Sequence, residues 1–579
     1  MRKIAVIVFC IMIMLAMIPV TCAIHIIQYD RLGIRTVPVA SPQILWWYDL
    51  NAPSYGSAAT GDIDEDGNLE IVFGTYFNDE HIYALNAEDG SLLWKYDTGG
   101  CNDASPAIAD VDMDGKLEVI IPASSPSVVY CFNGATGDVK WSTSTGYANC
   151  IDSPPAVADV DGDSMPEVVV GTFNGYVFCL NGEDGSICWK INLGTDSYIQ
   201  SEPDILDLDG DGALDVVVAQ YAGDCRIYGL HGSDGSVLWH SDVPKDYMYH
   251  GGSFADIDED GKLEIAIGCY DGHVYVINTE DGSLAWDYAA PYYIGAPTSI
   301  ADLNKDNHLE IIFASYNKVG VLSNTGHLIW SYTTGDSIFR GVVISDIDGD
   351  HTLDIIFGAD DGILRVLQGD NGHEIWTYDL GKHYGKTFWM DHAPIIADFN
   401  NDGKTEIFLV GGYGVYPPQD NYGRAYLLTG GEGTGPIWPM FRHDLRHSGC
   451  ITQEQLPPDT PTITGPSQGK IKATCKYNIS TIDPNGDEIY YFVDWGDGTN
   501  TSWIGPYPSG KEITINYTWT KQGTYLIKVK AKDSYGAESN WANLQVTIPK
   551  NKMIPKNFFK LLITLIFQSI NIHYDLRRT

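Results

Sequence analysis

The chain has 579 residues, 44% of them hydrophobic, and a formal net charge of −41. That length exceeds what one hydrophobic core supports, so at least two domains are expected. Such acidity excludes nucleic acid as a partner, because phosphate binding needs basic patches.

Arg2 and Lys3 precede an apolar run from Ile4 to about Val20, which small residues end at Thr21-Cys22-Ala23. Residues 1–23 therefore read as a secretory signal, with an uncleaved anchor as the alternative. The chain is expected to be secreted or on the cell surface, with membrane association through its termini only. Cleavage after Ala23 leaves nine cysteines, so at least one is unpaired. Cys179 and Cys188 flank the turn 181–185 and could close a cross-strand disulfide, although sequence alone does not assign connectivity.

From residue 44 to 450 the chain repeats itself. The first aspartate of an acidic loop recurs at Asp62, Asp110, Asp159, Asp207, Asp256, Asp302, Asp346 and Asp398. A period near 48 residues holds about four short strands with turns, the size of one propeller blade. Each loop is followed by a β-branched run such as Glu70-Ile71-Val72-Phe73-Gly74. An alternating strand, 81–86, then an Asp-Gly turn and a strand ending at Trp94 follow. The same tryptophan recurs at Trp141, Trp189, Trp239, Trp286, Trp330, Trp376 and Trp438, best read as a packing wedge between blades. Eight loops and eight tryptophans predict an all-β, eight-bladed propeller, with seven blades as the alternative. Either Ile44-Leu45-Trp46-Trp47-Tyr48 or the strand at Trp438 could close the ring.

The loops carry carboxylates at positions 1, 3, 5 and 9. They are Asp62, Asp64, Asp66 and Glu70; Asp110, Asp112, Asp114 and Glu118; Asp159, Asp161, Asp163 and Glu167; Asp207, Asp209, Asp211 and Asp215. The other four are Asp256, Asp258, Asp260 and Glu264; Asp302, Asn304, Asp306 and Glu310; Asp346, Asp348, Asp350 and Asp354; Asp398, Asn400, Asp402 and Glu406. This is hard-cation spacing: Ca²⁺ takes six to eight oxygens, and a tight turn gathers alternate side chains around it. Position 7 should offer only its backbone, and its side chains are indeed unrelated, from Lys116 to Met165 to His308. Position 6 is glycine in five loops but Ser164, Asn307 and His351 in the third, sixth and seventh, where a positive φ costs more and weaker binding is expected. Up to eight Ca²⁺ are expected; eight would bring the net charge from −41 to −25.

These loops resemble the FG-GAP/VCBS-type repeats of integrin α-like propellers, whose D-x-D-x-D-G-x-x-[DE] segment binds calcium. Hairpins such as 84–94, ending in Trp94, are similar to the tryptophan-docking motif of quinoprotein propellers. The resemblance covers about residues 44–450 and implies a calcium-bearing scaffold; it says little about activity.

Residues 451–462, with Pro457, Pro458 and Pro461, read as a linker. Residues 463–549 show new short strands and the segment Trp495-Gly496-Asp497-Gly498-Thr499, which resembles a PKD domain, an Ig-like β-sandwich with Trp495 between its sheets. Residues 550–579 form a short apolar and basic tail.

The composition and motifs fit a calcium-stabilised binding or adhesion protein for a glycan or protein ligand. Its candidate ligand face is the variable run entering each inner strand, notably His250, Arg340, Trp389, Asp391 and His392, beside Asp103, Asp152, Tyr249, Tyr292 and Tyr293. The alternative is a polysaccharide lyase with His250 or His392 as base, since some calcium-rich eight-bladed propellers are lyases. His443 and His447 lack the glutamate a zinc helix would want, and the segment around them reads as a seal.

Overall fold

The computed structural model describes residues 42–549, apart from 126, 147–149, 195–196, 432, 434, 439, 441–457, 459, 483–488, 508–509, 512 and 533–538, together with 564–565. Residues 1–23, read above as a secretory signal, most of the linker expected at 451–462, His443, His447 and nearly all of the tail lie outside the described residues. Among those described, no helix is long and apolar enough to cross a membrane.

The repeats become antiparallel meanders. The first is Ala59–Gly61, Glu70–Gly74, His81–Asn86 and Leu92–Asp97, paired in chain order. Each meander's second strand is a run of apolar residues buried on both faces, as in Glu70–Gly74 and Asp215–Ala219, because neighbouring sheets cover it. Eight such sheets follow one another, and apolar clusters bridge each to the next. Ile63 and Val72 pack with Ile108 and Val119, for example, and Leu206 and Val217 with Phe254 and Ile265.

The eighth sheet takes its outer strand from the other end of the repeat region. Ile44–Leu50 pairs antiparallel with Tyr422–Gly431, which pairs with Thr405–Tyr413 and then Ile395–Ala397. One cluster accordingly joins Phe408 and Leu427 of the eighth sheet to Ile71 and Phe73 of the first. Of the two candidates for this strand, the one at Ile44 is used. The strand at Trp438 instead pairs with the inner strand Val343–Asp346, as a fifth member of the seventh sheet.

The repeat tryptophans from Trp94 to Trp376 are wedges, and the side chain of Trp438 lies outside the described residues. Trp94 Nε1 donates to Gly134 O at 2.6 Å, and the indole lies so close over Gly137 that a Cβ there would meet it at 2.6 Å. Trp141, Trp189 and Trp330 likewise donate to Gly182, Gly232 and Gly369 of the next repeat. Trp46 completes the series, donating to Ala87 O at 2.7 Å and covering Gly90. A β-bulge one residue before each tryptophan turns the indole toward its neighbour, with Leu93, Lys140 and Cys188 as the extra residues. Cys179 and Cys188 sit side by side as thiols, and the eight described cysteines are all unpaired.

Residues 462–548 form a separate pair of sheets, one of three strands and one of four. Trp495 is buried between them, stacked on Tyr517 at 4.2 Å and edge-on to Trp519. Gly496, at φ 74°, makes the turn that follows.

Candidate functional site

In every repeat the inner strand runs into the acidic loop, and the second strand runs back. The acidic loops therefore lie at one end of the strands. The residues that enter the inner strands, and the turns between second and third strands, lie at the other.

All eight acidic loops have one hydrogen-bond pattern. The position-9 carboxylate accepts from the position-2 amide, as Glu70 does from Ile63 at 2.9 Å and Asp354 from Ile347 at 3.0 Å. Position 1 accepts from position 6, and position 5 from position 7, as Asp62 does from Gly67 and Asp66 from Asn68. Position 2 is a buried apolar anchor, from Ile63 to Phe399. The backbone thus fixes one oxygen of these acids and leaves the other turned inward. Asp62 Oδ1, Asp112 Oδ1, Glu167 Oε1, Asp256 Oδ1 and Asp354 Oδ1 are buried without any protein donor. In at least five of the loops, three carboxylates bring oxygens within 4.8 Å of one another, among them Asp159, Asp161 and Glu167. Burial pushes Glu70, Glu167, Glu264, Glu310 and Glu406 up to about 7 and Asp354 to about 8, with neighbouring aspartates adding to the shift. Orphaned, mutually repelling oxygens at this spacing fit a hard divalent cation.

Ser164, Asn307 and His351 adopt φ of 77°, 64° and 69°, the left-handed backbone that glycine fills in the other loops. The sequence reading missed that position 4 is left-handed too, at Glu65, Met113, Glu259, Lys305 and Asn401. Gly162 and Gly349 occupy it in the third and seventh loops, so that of these two positions each loop holds one non-glycine left-handed residue, as the first, second, fifth and eighth loops do. The sixth loop has no glycine at either place. In the second loop the bulge residue Lys140 places Nζ 2.5 Å from Asp112 and 2.9 Å from Glu118, whereas the bulge residues before Trp94, Trp189, Trp239, Trp286, Trp330 and Trp376 carry no positive charge.

At the opposite end lies a cavity of about 350 Å³, lined by Tyr55, Tyr76, Asp103, Asp152, Gln200, Tyr249, Phe339, Arg340 and Asp391. Seven of these nine are one position of the repeat. Tyr55, Asp103, Asp152, Gln200, Tyr249, Phe339 and Asp391 each stand seven residues before the first aspartate of their loop, and Gly295 holds that place in the sixth repeat. The cavity is therefore axial, with one contribution from nearly every repeat. Its acids are pushed up chiefly by burial; Asp103 also faces Asp152, and Asp360 faces Asp391. Ser124 donates to Asp152 at 2.8 Å and Ser337 to Asp360 at 2.5 Å, while Asp103 Oδ1 and Asp391 Oδ1 have no donor. Arg340 is 8% exposed, and among the described residues no carboxylate comes within 4.0 Å of it; its one polar contact is His250 Nε2 at 3.5 Å.

Of the predicted ligand face, Arg340, Asp391, Asp103, Asp152 and Tyr249 reach the cavity. Five residues do not: Tyr292 and Tyr293 are outside the lining, and so are His250, His392 and Trp389. His250 is buried behind it, between Arg340 and Glu202, and burial lowers its pKa. His392 is a latch at the seam between eighth and first sheets: Nε2 accepts from Ala58 N at 2.9 Å, beside Ser57 Oγ accepting from Ala393 N. Burial lowers it to about 3, so neither histidine offers the cavity a base. Trp389 pairs by its backbone with Gly412 and packs on Tyr413, away from the cavity. Both histidines stand six residues before the first aspartate, the place Arg340 holds in the seventh repeat, and of these three only the arginine reaches the cavity.

A larger open groove, about 520 Å³, runs along the outer strands of the fourth and fifth repeats, but its charged groups are already paired, His273 with Asp287 and Asp242 with Arg226.

Comparison with known proteins finds repeat and PKD modules along the chain. A family model described as outer membrane protein assembly factor BamB matches residues 39–165 and 127–318, and an FG-GAP-like repeat model matches 346–409. A PKD model matches 465–546. Residues 465–546 are a PKD domain. The repeat region before it has a propeller-like fold, and both kinds of module are typical of extracellular or surface proteins. The chain is 25% identical over 121 residues to collagenase ColA of Bacillus cereus, across 21% of this chain and 12% of that one, so it spans about an eighth of that relative's length. The PKD domain of an M14-like peptidase from a Thermoplasmatales archaeon is 50% identical, over 17% of this chain and 99% of that one, with a TM-score of 0.16. Quinohemoprotein alcohol dehydrogenase from Comamonas testosteroni gives 13% identity over 67% and 77%, with a TM-score of 0.47. Sqt1 of Saccharomyces cerevisiae gives 12% over 67% and 99%, with a TM-score of 0.49.

Proposed function

We propose that this is a secreted or surface-displayed binding protein, built on an eight-bladed propeller that calcium stabilises, and that it binds a glycan at the axial cavity. The acidic loops are the scaffold's metal sites. Calcium, when bound, neutralises each loop's carboxylates and ties the start of the second strand to the end of the first. Position 9 begins a strand and position 1 ends one, so an ion between them clamps each sheet's inner hairpin.

The observation that carries the glycan reading is the make-up of the cavity wall. Two carboxylate oxygens without donors, Asp103 Oδ1 and Asp391 Oδ1, a buried guanidinium facing the same space and three tyrosine rings ask for a ligand rich in both donors and acceptors, with flat apolar faces. A sugar ring meets that description. A uronate would set its own charge against Asp103, Asp152 and Asp391, which argues against lyase action on an acidic polysaccharide.

Binding of the calcium-loaded chain to a panel of monosaccharides, followed by calorimetry, tests this reading. Saturable binding that Asp391→Asn weakens about ten-fold is expected, the scale of one charge-assisted hydrogen bond. Binding that is indifferent to Asp391 and Arg340 would remove the cavity from the account.

A further inference from the structure

The cavity does not stand alone on its face. Six residues after each closing acid, at the turn between second and third strands, the repeats carry Tyr76, Ser124, Phe173, Tyr221, Tyr270, Tyr316, Asp360 and Gly412. Five are aromatic, and four of these fall in the consecutive repeats three to six. Their rings meet one another and those of the segments between them. Phe173 stacks on Tyr221 at 6.4 Å, and Tyr221 meets Tyr249 edge-on at 5.4 Å. Tyr249 stacks on Tyr270 at 6.3 Å, Tyr270 on Tyr293 at 4.8 Å, and Tyr293 packs on Tyr316 at 5.7 Å. The result is a continuous arc, partly exposed throughout, and Tyr249 belongs both to it and to the cavity wall. At the same position repeats seven, eight and two carry Asp360, Gly412 and Ser124.

Resting on the glycan reading above, we propose that the cavity is the end subsite of a longer site, and that the arc is the track on which an uncharged polysaccharide lies. Aromatic residues are large and stiff, and bury wide apolar faces while their hydroxyls stay wet, which suits the alternating apolar faces and hydroxyl edges of a sugar chain. A monomeric protein seldom leaves so extended a band of rings uncovered without a use for it. Charge chooses between classes of chain. Three carboxyls, Asp103, Asp152 and Asp391, line the cavity against the single cation Arg340, Asp360 stands beside Asp391, and the chain's charge of −41 would still be −25 with eight Ca²⁺ bound. A polyanion would be repelled along its length. A protein partner would have to desolvate those carboxyls, whereas sugar hydroxyls can donate to them.

The test uses the full chain in calcium, run through native gels containing mixed-linkage β-glucan, galactomannan, dextran or polygalacturonate, with calorimetry on matching monosaccharides and hexasaccharides. At least one uncharged polymer should retard the protein, and its hexasaccharide should bind at least ten times more tightly than its monosaccharide. Tyr270→Ala and Tyr221→Ala should each remove most of that advantage and leave monosaccharide binding unchanged, while Tyr270→Phe keeps it. Equal Tm values in calcium would show that these variants fold. A length advantage that survives both alanine variants would overturn the track and leave the cavity reading standing. Retardation by polygalacturonate alone would overturn the choice of an uncharged chain. No retardation and no monosaccharide binding would overturn both readings together.

Discussion

The two ends of the propeller strands were built under different rules. At the acidic end, eight loops repeat the same residues, hydrogen bonds and left-handed positions, down to the apolar anchor at position 2. At the other end the backbone repeats equally well, but the side chains do not. The position seven residues before each loop is tyrosine, aspartate, glutamine, glycine or phenylalanine. A uniform end is what a scaffold requires, since each loop solves the same local problem. A varied end on a uniform backbone is what a single asymmetric ligand requires, since each repeat contributes one different group to one space.

Removing calcium should expose this difference most strongly. EGTA is expected to lower the Tm by roughly ten degrees or more in a thermal melt, because each ion bound only by the native state adds stability. A melt unchanged by EGTA would break the assignment of the uniform end. Next in size is the seam. Trp46→Ala should cost about 3–5 kcal/mol in chemical denaturation, the scale for a buried indole, and Trp376→Ala a similar amount. A loss at Trp46 far below that at Trp376 would mean that the strand Ile44–Leu50 does not close the ring.

The pH response should change sign with the metal. Without it, burial holds Glu70, Glu167, Glu264, Glu310 and Glu406 at about 7, above their ordinary range. The native state then binds more protons than the unfolded state, so the stability they contribute is full below about pH 4.5 and is lost as pH rises through about 7. The EGTA-treated protein should therefore melt lower at pH 8 than at pH 5.5. With calcium present the order should reverse, because cation and proton compete for the same oxygens. On the varied end, Asp391→Asn should weaken ligand binding and leave the Tm unchanged or slightly raised, since it removes one of two facing acids. The smallest expected effect is local: Lys140→Met should raise calcium affinity in the second loop alone, about ten-fold, by removing the internal cation.

The acidic end was legible in the sequence because its chemistry is local. Nine consecutive residues hold every side chain of a loop, so spacing alone exposed the pattern, and Ser164, Asn307 and His351 stood out against it. What spacing missed there was conformational or long-range. Position 4 is left-handed whatever its side chain, and Lys140 reaches the second loop from a bulge 28 residues past Asp112. The varied end was only half legible. Its run was recognised as the candidate face, but nothing in one sequence said which of its residues reach the axis. Arg340 and Asp391 were therefore grouped with His250 and His392, although Arg340 shares the histidines' place in the repeat and alone of the three lines the cavity. The signal was present all the same: lining the repeats up on their first aspartates puts the cavity wall in one column and the tyrosine track in another. The seam was ambiguous for a topological reason, since Trp46 and Trp438 both sit in plausible strands and only pairing with Tyr422–Gly431 separates them.

The separation of the two ends is tested most directly by counting bound calcium per chain, by atomic emission on the desalted protein and on its Asp391→Asn variant. Several ions, in equal number in both, are expected if the acidic loops hold the metal and the cavity is reserved for a ligand. No bound calcium in the unaltered protein, or a count that falls with the cavity substitution, would contradict the account.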